Sequence, residues 1–338
     1  MKGWHVVDKN LIEEKTIDEH FDSLTCTKVK ITKALLTLKD AITFSEGENK
    51  GFVLGGYGIG VVSEAGENLF NLQKGTRVYI NPTLSCNKCY NCENNEHTKC
   101  TDVKVAGEDF NGFLRDFISI DSSNLYYLPE SVSDNEALFI NHICLSLAII
   151  DKLDIQKGDH VAIIGASNLG IILSQLLIYY QAVPILIDID DESLQIAKSS
   201  GIYYTLGKDD NWPKEVSSLT GGRMAKSVVY ISDCDVSART AFTLAGYNAP
   251  VAITGLTEKN ATISIAPAMK KQLVVHLVNS GYGYTASSIN LIANKAFNIK
   301  PLKLDFIPYA KVPEKLAEMS ENLSKEQKIY DCIVDVLE

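Results

Sequence analysis

The chain lacks any apolar run of about 18 residues, the length needed to span a bilayer. Its opening segment, MKGWHVVDKN, lacks the apolar stretch and small-residue cleavage site of a secretory signal. Both absences predict a cytoplasmic protein with no membrane partner. Positive charge is also short, since 32 Lys and Arg face 42 Asp and Glu and leave a net charge of −10. Such a balance offers no overall positive field to a phosphate backbone, so nucleic acid is excluded as the main partner and a small-molecule substrate is expected. No internal repeat, low-complexity tract or obvious linker interrupts the chain.

What is present is a chain of 338 residues with 46% hydrophobic content, enough to bury the cores of two domains. The first part reads as short β segments bounded by turn formers: KVKITKALL, GIGVVSEAG, TRVYINPT and LRDFISID. This predicts a small barrel-like β domain. From about residue 145 strands alternate with helical patterns, which signals an α/β domain with a parallel sheet. HVAIIG, VPILIDID, SVVYISD and APVAITG are near-continuous apolar runs of the kind buried on both faces. LGIILSQLLIYYQ and DESLQIAKSSG have helical periodicity, with Gly201 placed to stop the second. Near the end, VPEKLAEMSENL starts as a helix starts, with Pro313 and Glu314 in its first turn, and is read as a return to the first domain.

The turn VAIIG-ASNLG follows a strand and opens an apolar helix, with Gly165, Ser167 and Gly170 at the three fingerprint positions and Asn168 and Leu169 between them. In a dinucleotide site the first glycine permits the tight turn, the second lets the backbone approach the pyrophosphate, and the third lets helix and strand pack closely. Ser167 breaks the middle position, where it either crowds the pyrophosphate or donates a hydrogen bond to it. At the end of the next strand stands Asp188, an acid able to bond both ribose hydroxyls and to repel a 2′-phosphate, which favours NAD(H).

Four of the eight cysteines, Cys86, Cys89, Cys92 and Cys100, crowd into SCNKCYNCENNEHTKC. Four thiolates on one short loop close a tetrahedral shell around one structural Zn²⁺ and leave no open position for substrate. Lys88 and Lys99 are placed to offset the charge of such a centre. An iron–sulfur cluster, with His97 in place of one cysteine, and a metal-free reduced loop are the alternatives. Cys26, Cys144, Cys234 and Cys332 are scattered singly and read as small buried hydrophobes in a reducing compartment, with Cys144 alone of further interest.

Through the cysteine lobe, the GASNLG turn followed by DID, and the ITGL segment, the chain resembles the zinc-type medium-chain dehydrogenase/reductase family of alcohol, sorbitol and threonine dehydrogenases. The resemblance implies a GroES-like catalytic domain, residues 1–140 and 277–338 with the zinc lobe at 86–100, interrupted by a Rossmann domain at 141–276. It also implies a cleft between them where the reaction runs, and a homodimer or homotetramer whose sheets join near APVAITG. The family's catalytic zinc is the point of departure. LLTLKD puts Thr37 where the family carries its first thiolate, GGYGIGVV puts Gly56 at the histidine and Tyr57 at the glutamate, and FINHICL puts Asn141 at the third ligand. Neutral Thr, Gly and Asn do not hold Zn²⁺ as thiolate, imidazole and carboxylate do. No catalytic zinc is therefore expected, and Lys39, Tyr57 and Asn141, with Thr37 beside them, are the candidate groups for polarising or protonating a substrate atom. Asp40 is retained from the family motif with no histidine to orient, and His142 and Cys144 offer the elements of a rearranged metal site. Three functions follow from this reading: an NAD(H)-dependent reductase or dehydrogenase acting on an activated C=C, iminium or carbonyl; a cofactor-binding pseudoenzyme or partner subunit; and a zinc alcohol dehydrogenase with displaced ligands.

Overall fold

A computed structural model of the chain describes residues 1–17, 24–48, 51–67, 72–232, 236–255, 265–325 and 327–337; Cys234 and the end of the ITGL segment lie outside them. The chain divides into two compact units, Met1–Ile140 with Lys303–Glu338, and Asn141–Leu302. Among the described residues no helix is long and apolar enough to cross a membrane.

The first unit is built around the strand Cys26–Leu36. Its first half pairs antiparallel with Phe117–Asp121, its second half with Cys332–Asp335, and its other edge with Tyr57–Glu64. The sheet continues outward through Arg77–Ile80 and Leu125–Tyr127 on one side and Asp305–Pro308 on the other. Alternation puts Val29 and Ile31 into a core with Val62, Val78, Ile118 and Leu316, which is what the β-branched runs predict. The pair Lys2–Asp8 and Leu11–Thr16 is missed by the pattern, because LIEEKT buries a single side chain. Helix Leu38–Glu46 begins at Thr37 and ends at Gly47, whose φ of +69° suits a glycine C-cap. It packs against helix Val312–Ser324, which does return the chain to the first unit.

In the second unit six parallel strands are numbered in chain order: β1 (His160–Ile164), β2 (Val183–Ile187), β3 (Tyr204–Leu206), β4 (Ser227–Ile231), β5 (Pro250–Thr254) and β6 (Val274–Leu277). They lie in the order β3-β2-β1-β4-β5-β6, the doubly wound order of a dinucleotide-binding sheet. Ile163, Ile164, Ile185, Leu186 and Ile187 are fully buried, each contributing about 1.5–3 kcal/mol relative to exposure. The helix Asn168–Tyr179 buries its residues from Leu169 to Leu177, and helix Asp191–Ser199 stops before Gly201 at φ +87°.

Two expectations are corrected. The second unit ends at Leu302, not 276, because β6 is followed by helix Thr285–Ala293, whose Ser288 hydroxyl meets Cys144 Sγ at 3.1 Å inside the same unit. The edge on the far side of the sheet from β3 is β6 and not the APVAITG strand, near which the sheets of two copies were expected to join, since β5 is hydrogen-bonded on both sides, to β4 and to β6.

Candidate functional site

The cysteine lobe is assembled by local geometry. Cys89 precedes the short helix Tyr90–Glu93 and Cys92 lies within it, so one turn brings both thiols to the same side. The four Sγ atoms of Cys86, Cys89, Cys92 and Cys100 all lie within 4.8 Å of one another, with Cys86 to Cys92 and Cys89 to Cys100 each at 4.0 Å. A tetrahedral shell with Zn–S bonds of about 2.3 Å has edges of about 3.8 Å, so the thiols stand close to a ligand arrangement. The N–H groups of Cys86 and Asp102 donate to Cys100 Sγ at 3.3 and 3.4 Å. The backbone N–H of Thr101 is the main influence holding the Cys89 thiol below its ordinary range. These donors favour thiolate, the form a metal requires. His97 is not in the set: its Nδ1 lies 3.3 Å from Ser85 Oγ. Lys99 pairs with Glu96 at 2.7 Å.

A second cluster forms in the same unit at one end of the central strand pair. Leu35 pairs with Tyr57, so the chain leaving one strand at Thr37 and entering the other through Gly55 and Gly56 shares that end of the sheet. Asp40 ties the two together. Its Oδ2 accepts from Thr37 N at 2.9 Å and from the Thr37 hydroxyl at 3.0 Å, and its Oδ1 accepts from Gly55 N at 2.9 Å. Burial pushes the Asp40 carboxyl up while these donors pull it down. The role left open for Asp40 is thus to close the helix start and fix the glycine segment. The turn after the cysteine lobe lies over that segment, with Ala106 O 3.8 Å from where a Cβ on Gly56 would stand. It delivers Glu108, whose carboxylate forms an ion pair with Lys39 Nζ. Both partners are about one-third exposed, at 31% and 34%. Burial lowers the Lys39 pKa, and the charges of Asp40 and Asp109 oppose that shift.

Of the sequence-predicted residues, Thr37, Lys39 and Tyr57 therefore share one end of the first sheet. Thr37 is buried with its hydroxyl committed to Asp40, and Tyr57 is half-buried. Glu108 was missed, since one acid in a polar turn carries no signal until the fold places it against Lys39. Asn141, half-buried, opens the second unit. Burial pushes the neighbouring His142 down to about 4 and Cys144 up to about 11. Among the described residues the four cysteines are the one group of three or more His, Cys, Asp or Glu able to hold a metal ion, and neither His142 nor Cys144 belongs to another.

In the second unit the glycine turn has the shape that a dinucleotide requires. Gly165 has φ +110°, open to glycine. A Cβ on Gly170 would stand 2.0 Å from Gly165 O, so only glycine lets the helix approach the turn so closely. Asp188, buried at the end of β2, accepts from Ala166 N at 2.6 Å and from Asp190 N at 3.0 Å, which locks its carboxylate against the turn. Ser167 is the N-cap of helix Asn168–Tyr179 yet makes no side-chain cap bond, and its buried Oγ has no hydrogen-bond partner among the described residues. A helix N-terminus with an unengaged hydroxyl, beside a fixed acid, is a fit for a pyrophosphate and its ribose.

The comparisons with known proteins agree with this geometry. Residues 25–130 match the alcohol dehydrogenase GroES-like domain, and residues 169–294 match the zinc-binding dehydrogenase domain. An uncharacterized zinc-type alcohol dehydrogenase-like protein of Haemophilus influenzae is 24% identical over 280 residues, covering 82% of each chain. L-idonate 5-dehydrogenase of Vitis vinifera is 26% identical over 232 residues, 66% of this chain and 63% of that one. The short chain alcohol dehydrogenase rspB from E. coli CFT073, solved with NADH, superposes with a TM-score of 0.86 over 99% of both chains at 20% identity. Joined in one chain, the two matched domains define an oxidoreductase class, and the chain belongs to it. That class is the zinc-type medium-chain dehydrogenase/reductase family.

Proposed function

We propose that the chain is an NAD(H)-dependent oxidoreductase that acts on an activated C=C, iminium or carbonyl without a catalytic zinc. The observation that carries this reading is the Lys39–Glu108 ion pair beside Thr37, Gly56 and Tyr57, where the resemblance would set metal ligands. Gly165, Ser167, Asn168, Leu169 and Gly170 hold the pyrophosphate, and Asp188 the adenosine ribose, whose 2′-phosphorylated form it repels. Bound NADH supplies a hydride. Lys39 donates a proton or hydrogen bond to the acceptor atom on which charge develops, Glu108 keeps the ammonium charged against burial, and Tyr57 and Asn141 are further donors. A conjugated acceptor carries its own electron sink, so one positioned donor in place of a Lewis acid suffices. Cys86, Cys89, Cys92 and Cys100 hold one structural zinc.

A second reading, a cofactor-binding pseudoenzyme, is favoured by the Thr37 hydroxyl, which is spent on Asp40. The cytoplasm remains the proposed location. A homodimer is the proposed assembly, supported by the edge strand β6, where Val274 and Leu277 are 52% and 79% exposed. Zinc per chain tests the central claim: one ion, together with NADH consumption on a conjugated acceptor, is expected. Two ions overturn the zinc-free mechanism and restore displaced ligands. One ion with NADH binding but no turnover on any acceptor favours the pseudoenzyme.

A further inference from the structure

The turn that carries Glu108 is closed by a side chain the proposed mechanism does not use. It follows the short strand Lys104–Val105, which pairs antiparallel with Thr83–Leu84. Asp109 Oδ2 accepts from Val105 N at 2.9 Å, while Val105 O accepts from Glu108 N at 3.2 Å and from Asp109 N at 2.9 Å. Gly107, at φ +80°, turns the chain, and its N–H donates to Phe110 O at 2.8 Å. Residues 105–110 therefore form one loop, tied at its mouth by the Asp109 carboxylate in the way short acidic side chains commonly close turns. The loop is also seated. Phe110 packs against the core of the first unit, and a Cβ on Gly107 would stand 3.7 Å from Gly55 N, the same N–H that Asp40 holds.

Glu108 lies one residue before the tie, and its partner Lys39 lies in the first turn of helix Leu38–Glu46. An ion pair whose partners are each about one-third exposed gains little from attraction alone, because water screens the charges and two long side chains lose freedom in meeting. Such a pair keeps one arrangement when rigid elements present both partners. The helix presents Lys39, and the closed turn presents Glu108. We infer that Asp109 is a positioning residue, whose carboxylate closes the turn so that Glu108 meets Lys39. This deepens the Lys39 reading above and rests on it. Asp109 is exposed, and its charge also acts directly on Lys39, opposing the effect of burial. Its two influences, the tie and the charge, separate by substitution: asparagine keeps an oxygen that can accept from Val105 N and removes the charge, whereas alanine removes both.

The test compares Asp109→Asn and Asp109→Ala, each alone and combined with Glu108→Gln. Amide exchange of residues 104–110 reports the tie. The pH dependence of Lys39 acylation by an amine-reactive reagent, read by peptide mass spectrometry, reports the ion pair without requiring turnover. Asp109→Asn should exchange as wild type does, with the Lys39 midpoint slightly lower. Asp109→Ala should exchange about tenfold faster at Val105, the scale of one lost hydrogen bond to a charged group, and should move the midpoint further down. With Glu108→Gln present, the Asn and Ala variants should share one midpoint, since the tie then has no carboxylate to present. Equal midpoints for the two variants while Glu108 is present, or a difference that persists without it, would overturn the positioning role. So would unchanged Val105 exchange in Asp109→Ala. The expected midpoints with no change in the pH profile of NADH consumption would uphold Asp109 as the residue that sets the pair and would sink the catalytic reading of Lys39 instead.

Discussion

The cysteine lobe and the end of the central strand pair are both regions where a chain of this family can hold metal, and they are built differently. In the lobe every side chain of the set is a thiol, N–H donors stabilise thiolate, and the sulfurs stand near ligand spacing. At the strand end the side chains are taken up within the chain: the Thr37 hydroxyl and the backbone N–H of Gly55 donate to Asp40, and Lys39 pairs with Glu108. The thiols of the lobe are arranged as the ligands of a cation are, while the strand end carries a cation of its own, the Lys39 ammonium. Positive charge at the second site is fixed to the chain by Lys39, so under the proposed mechanism the chemistry there depends on protonation and not on metal supply.

The largest effect expected from breaking this contrast is on the lobe. Stripping metal with a strong chelator, or replacing Cys89 by Ser, should abolish bound zinc and destabilise residues 86–100 by several kcal/mol, since site formation and folding are coupled there. Hydrogen exchange of that segment is the measurement, and exchange unchanged by chelation would mean the loop stands without metal. Next comes Lys39→Met, which should lower kcat by about 10²-fold, the usual scale for a positioned proton donor, with NADH affinity within about twofold. A full kcat would remove Lys39 from the mechanism. The smallest effect is that of Glu108→Gln. Burial already lowers the Lys39 pKa; a carboxylate paired with an ammonium keeps it charged, so removing Glu108 from that pair should let burial pull Lys39 lower still. The alkaline limb of the rate profile should then move to lower pH, while the acid limb stays in place. A shift to higher pH would contradict the pairing.

The two regions also differed in how legible they were. The lobe was readable because its four cysteines lie within one short segment and their spacing is the signal. The four core strands of the second unit were readable for a similar local reason, as unbroken apolar runs. The strand-end cluster was half visible: Thr37, Lys39 and Tyr57 emerged from resemblance, but Glu108 is far along the chain and is brought in only by a turn folding over Gly55 and Gly56. β3 and β6 were missed because both are short edge strands, β3 of three residues with one buried and β6 largely exposed, where burial writes no pattern. The domain return is set at 277 in the sequence because the alternation of strand and helix patterns fades after Gly255, although helix Thr285–Ala293 buries Ile289 and Ile292 in the second unit. Its seat depends on Gly281, where a Cβ would stand 2.1 Å from the Cys144 carbonyl carbon, a closeness no periodicity announces.

The helix start at Thr37 bears on how this scaffold would respond to redesign. A side chain at Gly56 meets only ordinary contact, with Ala106 O at 3.8 Å, so a histidine there begins on open ground. A cysteine at Thr37 would take away the hydroxyl donor from a buried carboxylate that also anchors Gly55. An engineer seeking a second metal centre would therefore meet an ordered path, in which the imidazole can be introduced early and the thiolate only after Asp40 has been given another donor.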